Sequence, residues 1–325
     1  MSYWSNYPEI ENHLNQVSSL IEERVQLDHP QIEAAIKKMT RAGGKYLRPA
    51  FFLLFSQFGQ SKANNQDKLF KIAASLEILH MATLVHDDII DDSPLRRGQT
   101  SIQTLFGKDV AVYTGDFLFT IFFELILEGM AGTDYMTINA KAMKKILIGE
   151  LDQMKLYFNQ EQSIDDYLKA ISGKTAELFQ LACQEGAFFG GADQNITDKA
   201  ALIGFNIGMT FQILDDILDY TAEKEQFNKP VLEDLRNGVY SLPLLFAIKE
   251  NPQAFKPYLD KKNHMTDQDV KKVSELVLHY QGVEAAKEMA KTYTQEALFA
   301  IEELPKIKAQ KQLLKLSKHL LKRHL

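Results

Sequence analysis

Apolar residues recur at spacings of three and four from Asn12 to Val25, from Gln31 to Met39 and from Asp67 to Ile90, the period of a helix rather than a strand. Beta-branched runs of period two are scarce, so few strands are expected. Turn-forming residues cluster at 58–66, 128–134, 159–163, 190–195, 224–230, 250–253 and 261–268, and helix-length blocks lie between them. Three blocks, 67–90, 110–128 and 200–220, are apolar nearly all round. Helices of that kind need neighbours on every side, so the pattern predicts an all-α bundle of buried helices. No fixed-period repeat and no Pro-, Gly- or Ser-rich linker divides the chain, and residues 1–325 are expected to form a single domain. Pro243, in "YSLPLLFAIK", belongs in the first turn of a helix or at a kink.

Composition narrows the function classes. With 325 residues, 45% of them apolar, the chain can fill a substantial core. A formal net charge of -6, a pI near 5.8 and no basic stripe argue against a nucleic-acid partner. The one cysteine, Cys183, can form neither an internal disulfide nor a Cys-based metal site, which points to a reducing, cytoplasmic setting. The start, "MSYWSNYPEIENHL", shows no basic region followed by an apolar one. Unbroken apolar runs such as "DFLFTIFFELIL" fall short of the ~18 residues of a membrane span, so membrane contact is expected to be peripheral at most.

The chemistry concentrates in two acidic clusters. "LVHDDIIDD" sets Asp87 and Asp91 one helical turn apart on one face, and Asp88 and Asp92 repeat the ladder beside them. "QILDDILDY" does the same with Asp215 and Asp219. Each cluster closes an apolar helix at the end where the macrodipole already favours cations, so dipole and mutual repulsion both oppose it. A single acidic pentapeptide among 43 Asp and Glu would read as a solvated face. Two copies in the same position call for bound cations, and sites made of carboxylates suit Mg2+, which shares its shell with water and phosphate. His86 is the one imidazole beside them.

Basic residues stand ready for the rest of a phosphate's charge. Arg96 and Arg97 follow the first cluster, and Lys45 and Arg48 lie three apart after the Gly43-Gly44 pair. Lys174 sits beside Thr175, Lys229 lies in "FNKP", and His80 is two turns before Asp87 on the same face. Singly, such residues are usually surface charge or a hydrogen-bonded core histidine.

Together "GGKYLRP", "LVHDDIIDDSPLRRG", "GKTAEL", "GMTFQILDDILDY" and "NKPVLEDLRNGVYSLPLLFAI" resemble, in order, the trans-isoprenyl diphosphate synthases, and most closely the bacterial medium- and long-chain type. The resemblance spans residues 43–248. It implies an all-α, isoprenoid-synthase fold around a deep apolar cavity, in which isopentenyl diphosphate is condensed with an allylic diphosphate, head to tail, to a polyprenyl diphosphate. It assigns Asp87, Asp88, Asp91, Asp215 and Asp219 to three Mg2+ ions around the allylic diphosphate. Arg96, Lys174 and Lys229 would hold that diphosphate as well, and Lys45, Arg48, His80 and Arg97 the isopentenyl diphosphate. Thr175 and Gln212 match positions near the developing allylic cation. The departing pyrophosphate serves as base, which accounts for the lack of a Ser-His or Cys-His arrangement. Family members form homodimers, for which the aromatic excess of residues 115–127 is a hint, and some work only as heterodimers.

The sequence departs from the family's pattern at Tyr46, where a basic residue is common, and at Asn228 and Leu232, where glycines are usual. "GVYSLP" also lacks a lysine that many short-chain members carry. A terpene cyclase or head-to-head condensing enzyme would share the aspartates but has no use for Lys45, Arg48, His80 and Arg97. A non-catalytic subunit would not keep both motifs, and a helical scaffold would need neither metal nor paired arginines. Short-chain members block the hydrocarbon path with aromatics where Ala82 and Thr83 stand here. The path past Thr83, Ala82 and Leu79 is therefore open, with Phe122, Phe123 or a residue of "ILIGELDQM" as floor, and products beyond twenty carbons are expected.

Overall fold

The protein was analysed as a computed structural model, which describes residues 3–41, 44–60, 65–221 and 232–322. The chain packs into two compact units, Met1–Ala140 with Ala182–Ala200, and Lys141–Leu181 with Ala201–Leu325.

In the first unit, α1 (Pro8–Arg24) opens on a proline whose missing N–H costs nothing at that position, and Glu9 and Glu11 complement the dipole. It buries Ile10, Leu14, Val17 and Ile21 at helical spacing. α2 (Pro30–Arg41) follows, then α3 (Leu47–Phe55), in which every residue except Arg48 is buried. The central element is α4 (Gln66–Ile90), buried without interruption from Ile72 to Leu79. A run of eight is two full turns, so neighbours are required all round, as the apolar pattern predicts. Those neighbours are α1, α3, α5 (Ile102–Phe106) and, over the largest surface, α6 (Lys108–Met130). A hairpin of β1 (Leu95–Arg96) and β2 (Gln99–Thr100) leaves the end of α4, and Arg97 and Gly98 at its tip both have positive φ. These are the only strands among the described residues. Phe122 of α6 is buried, but Phe123, one of the expected floor residues, is 44% exposed and shares an outward face with Tyr113 and Leu127. That corrects the sequence reading: adjacent helical residues point about 100° apart, and only the first faces α4.

α7 (Tyr135–Lys155), α9 (Glu177–Phe189) and α10 (Gln194–Thr221) contribute residues to both units. In the second unit, α8 (Ile164–Ile171) starts at a reciprocal cap between Ser163 and Asp166, then passes through a π-helical turn, Ser172–Ala176, straight into α9. Beyond α10 come α11 (Glu233–Arg236), α12 (Leu242–Glu250), α13 (Pro252–Leu259), α14 (Asp267–His279), α15 (Gly282–Glu302) and α16 (Lys308–Lys322). α12 packs on α13, α14 and α15, and α15 on α16. Pro243 lies in the first turn of α12 and bends nothing. The turn expected at 250–253 shrinks to Asn251 alone, and the one at 224–230 lies outside the described residues.

By length and composition alone, α4, α6 and α10 are apolar enough to cross a membrane, where the sequence reading expected no such segment. Counting unbroken apolar runs missed them because scattered polar residues interrupt a run while the mean hydropathy of the whole window stays high. Within the protein 61%, 44% and 61% of their most apolar windows are buried.

Candidate active site

The first aspartate cluster ends α4. Asp87 is half-buried, Asp91 is exposed at the helix C-cap, and the Asp91 N–H donates to the Asp87 carbonyl at 2.8 Å. Asp88 behaves differently. It is 3% exposed, and its Oδ1 accepts from both Nε (2.8 Å) and a terminal nitrogen (2.5 Å) of Arg96 on β1. The hairpin thus folds a guanidinium back over the buried carboxylate, and Arg96, expected on a diphosphate, is held by the motif itself. Asp92 pairs with Lys108 at 2.9 Å. His86 is committed to α6: its Nε2 lies 3.3 Å from the Val112 carbonyl and 3.5 Å from Asp116, at a crossing so close that a Cβ on Gly115 would stand 2.3 Å from it. Among the described residues no three His, Cys, Asp or Glu converge as a ready metal cage. Carboxylates offered in pairs, with other positions left to water and phosphate oxygens, are what Mg2+ accepts.

The expected isopentenyl diphosphate residues gather in the same unit. A terminal nitrogen of Arg97 lies 3.4 Å from Nε2 of His80, and the guanidinium runs over Gly44, where a Cβ would meet it at 2.6 Å. Burial lowers Arg48 to about 10, with Arg97 pushing the same way and Glu77 opposing. Burial, then Arg48, Arg97 and Arg96, hold His80 well below the usual imidazole range, so it is neutral here. Glu77, which the sequence reading did not single out, is the countercharge: 2% exposed, raised by burial and pulled back by Arg97 and Arg48. An acid inside an apolar helix, one turn before His80, was the signal that could have revealed it. Lys45 is exposed, with its ammonium 5.5 Å over the Tyr3 ring and its carbonyl accepting from Trp4 Nε1 at 2.7 Å. Tyr46, at φ 49°, donates its hydroxyl to the Thr40 carbonyl at 3.0 Å. The Tyr46 phenol is therefore part of the loop's scaffold.

The second unit carries the other expected residues. The π-helical turn sits where helices approach so closely that Cβ atoms on Gly149 and Gly208 would come within 2.5 Å of Lys174 N and Ala176 Cα. From this turn Lys174 reaches Glu150 (2.8 Å) and Gln153 (3.0 Å), and Thr175 donates to Gln212 Oε1 at 2.8 Å. Gln212 Nε2 donates to Asp216 Oδ1 at 2.8 Å, and the Tyr167 hydroxyl donates to Asp216 Oδ2 at 2.6 Å. Burial pushes Asp216 up to about 8, against the pull of those two hydrogen bonds and with Asp234 and Asp215 adding to the push. Asp215 is exposed and Asp219 half-buried, one turn apart on α10. Tyr167, Asp216, Glu150 and Gln153 were not anticipated. Lys229 lies outside the described residues. Leu232, where relatives carry glycine, adopts φ 65°, a left-handed conformation that glycine reaches without strain.

Comparison with known proteins agrees with this inventory. The polyprenyl synthetase family model matches residues 29–278. Component 2 of the Bacillus subtilis heptaprenyl diphosphate synthase is 35% identical over 99% of this chain and 91% of that protein. The crystal structure of a Lactobacillus brevis geranylgeranyl pyrophosphate synthase superposes with a TM-score of 0.94 at 45% identity, covering 98% of this chain and 99% of the other. A Caulobacter crescentus polyprenyl synthase, solved with calcium and isoprenyl diphosphate, gives 0.89 at 31% identity over 97% and 96%. On the family match and these similarities over nearly its whole length, the chain belongs to the polyprenyl synthetase family and is a transferase that makes polyprenyl diphosphates.

Proposed function

We propose that the enzyme extends an allylic diphosphate with isopentenyl diphosphate to a product longer than twenty carbons, with Mg2+ held by Asp87, Asp91, Asp215 and Asp219. The observation that carries the elongation reading is the gathering of Arg48 and Arg97 around a neutral His80 and a buried Glu77, a built anion site that a cyclase does not need. Arg48 and Arg97 grip the diphosphate of the isopentenyl substrate, Lys45 adds charge at the rim, and neutral His80 donates without adding to the repulsion among the cations. Asp88 serves by holding Arg96. Lys174, with Lys229, binds the allylic diphosphate. Bound Mg2+ supplies the charge that stabilises the leaving diphosphate. The carboxylate pairs suit that ion, and the Caulobacter relative was solved with a divalent cation and an isoprenyl diphosphate.

The relatives divide on product length, since the Bacillus protein is a heptaprenyl synthase and the Lactobacillus protein a geranylgeranyl synthase. Ala82 supports the longer product by its size: it lies on α4 five residues before Asp87, where short-chain family members carry an aromatic side chain. Incubation with labelled isopentenyl diphosphate and a set of allylic primers, followed by sizing of the dephosphorylated products, tests this. Chains that stop at twenty carbons in the wild type overturn it. Ala82→Phe should shorten the product and keep turnover, as the added ring touches no phosphate ligand.

The face of α6 carrying Tyr113 (75% exposed), Phe123 (44%) and Leu127 (54%) supports a homodimer. A second reading, a catalytic chain that needs a partner subunit, is favoured by the Bacillus relative being one component of its enzyme. Light scattering and assay of the purified chain separate the two: an inactive monomer supports the second.

A further inference from the structure

The chain of hydrogen bonds from Tyr167 to Thr175 has a direction. Asp216 accepts at both oxygens, from the Tyr167 hydroxyl at 2.6 Å and from Gln212 Nε2 at 2.8 Å. With its nitrogen facing Asp216, the amide turns Oε1 to Thr175, whose hydroxyl must then donate, at 2.8 Å. A hydroxyl that has given its hydrogen away keeps only lone pairs for whatever else it faces. With no proton on Asp216 Oδ1, as its acceptance from Gln212 requires, reversing the amide would set oxygen against oxygen there and free the Thr175 hydrogen to point outward. Asp216 therefore selects the amide orientation, and Tyr167 pins Asp216 by its other oxygen. Tyr167, Thr175 and Asp216 are 4%, 6% and 5% exposed, so water does not compete strongly for these bonds. Tyr167 is held in turn by α8, whose first turn is locked by the Ser163–Asp166 cap.

We infer that Tyr167, acting through Asp216 and Gln212, is a positioning residue that presents the lone pairs of Thr175, rather than its proton, to the developing allylic cation. The inference rests on the reading of Thr175 as a neighbour of that cation. An oriented oxygen dipole acts on charge that appears only in the transition state, so its loss should slow ionisation and leave substrate binding alone. Asp216, whose place in the motif suggests another metal ligand, serves here as the hinge between phenol and amide.

Single-turnover rates of the Mg2+-loaded enzyme, with an allylic primer and labelled isopentenyl diphosphate, provide the test. Tyr167→Phe should lower the rate about tenfold with KM for both diphosphates within about twofold, Thr175→Val at least as much, and Thr175→Ser should retain most of it. The double variant Tyr167→Phe/Thr175→Val should be no slower than Thr175→Val alone, because the phenol has nothing left to orient. Should Tyr167→Phe fail to fold in a thermal melt, the near-isosteric Gln212→Met carries the same comparison. Rate losses that multiply in the double variant, or an unaffected Tyr167→Phe, overturn the inference while leaving Thr175 in its role. A Thr175→Val enzyme of wild-type rate overturns the placement of Thr175 itself, and the inference with it.

Discussion

The second aspartate of each cluster, Asp88 in one unit and Asp216 in the other, occupies the same place in nearly the same sequence, and both are buried, at 3% and 5% exposure. Their partners differ in kind. Asp88 is neutralised by a guanidinium that the β1–β2 hairpin folds back over it. Among the described residues Asp216 meets no cation of that sort: a phenol and an amide solvate it, and burial pushes it up to about 8. One motif has thus become two arrangements, a carboxylate that holds the Arg96 guanidinium and one held between a phenol and an amide. The outer aspartates, Asp87 and Asp91 or Asp215 and Asp219, are less buried, which leaves them open to the Mg2+ proposed above.

The largest effect expected is common to both clusters. Asp87→Ala and Asp215→Ala should each reduce turnover by about a thousandfold or more, with the melting temperature unchanged or raised, because removing one of two like charges relieves repulsion. A variant that loses activity only in step with a loss of folding would break the parallel. The inner aspartates should then part company. Asp88→Asn leaves Arg96 facing an uncharged group in a buried setting and should cost about 3 kcal/mol in urea unfolding, whereas Asp216→Asn keeps an acceptor for Tyr167 and should cost about 1 kcal/mol. Equal losses would mean that the difference in partners has no energetic content.

A buried carboxylate away from both clusters sharpens the comparison further. Glu185, fully buried and bonded among the described residues by Asn139 Nδ2 at 2.5 Å, is pushed by burial up to about 8. Its pKa is raised on folding, so its contribution is fully present below the unfolded value near 4.5 and is lost as pH rises through about 8. Between pH 7 and pH 8 the wild type should lose about 1 kcal/mol that Glu185→Gln does not. Unfolding midpoints of the two proteins across that range provide the check, and parallel pH profiles would remove Glu185 as the source.

The all-round apolar character of residues 67–90 and 200–220 was enough to place α4 and α10 and to end each near its aspartates, because buried helices carry their environment in their composition. The sequence also marked Arg48, Arg97 and His80, although the reason these two cations can sit beside a neutral imidazole was not legible: Glu77 was read as part of an apolar stretch. What separates Asp87 from Asp88 is a hairpin several residues away, so no local pattern distinguishes them. The outward turn of Phe123 follows from a rotation of one residue, which a count of aromatics does not resolve. "SGKTA" reads as ordinary helix, and its π-helical turn depends on glycines contributed by other helices.

That turn, Ser172–Ala176, also sets a rule for how this stretch can vary. A π turn takes up one residue more than an α turn, so helix before and after it is out of phase by about 100°. α8 and α9 are one continuous rod whose buried stripe changes heading midway. Deleting a single residue here would mend the hydrogen-bond ladder into regular α-helix while swinging Lys174 and Thr175 away from Gln153 and Gln212. The most regular helix available to this segment is therefore one that breaks both contacts, so the length of the turn counts here as a matter of geometry rather than of any one side chain.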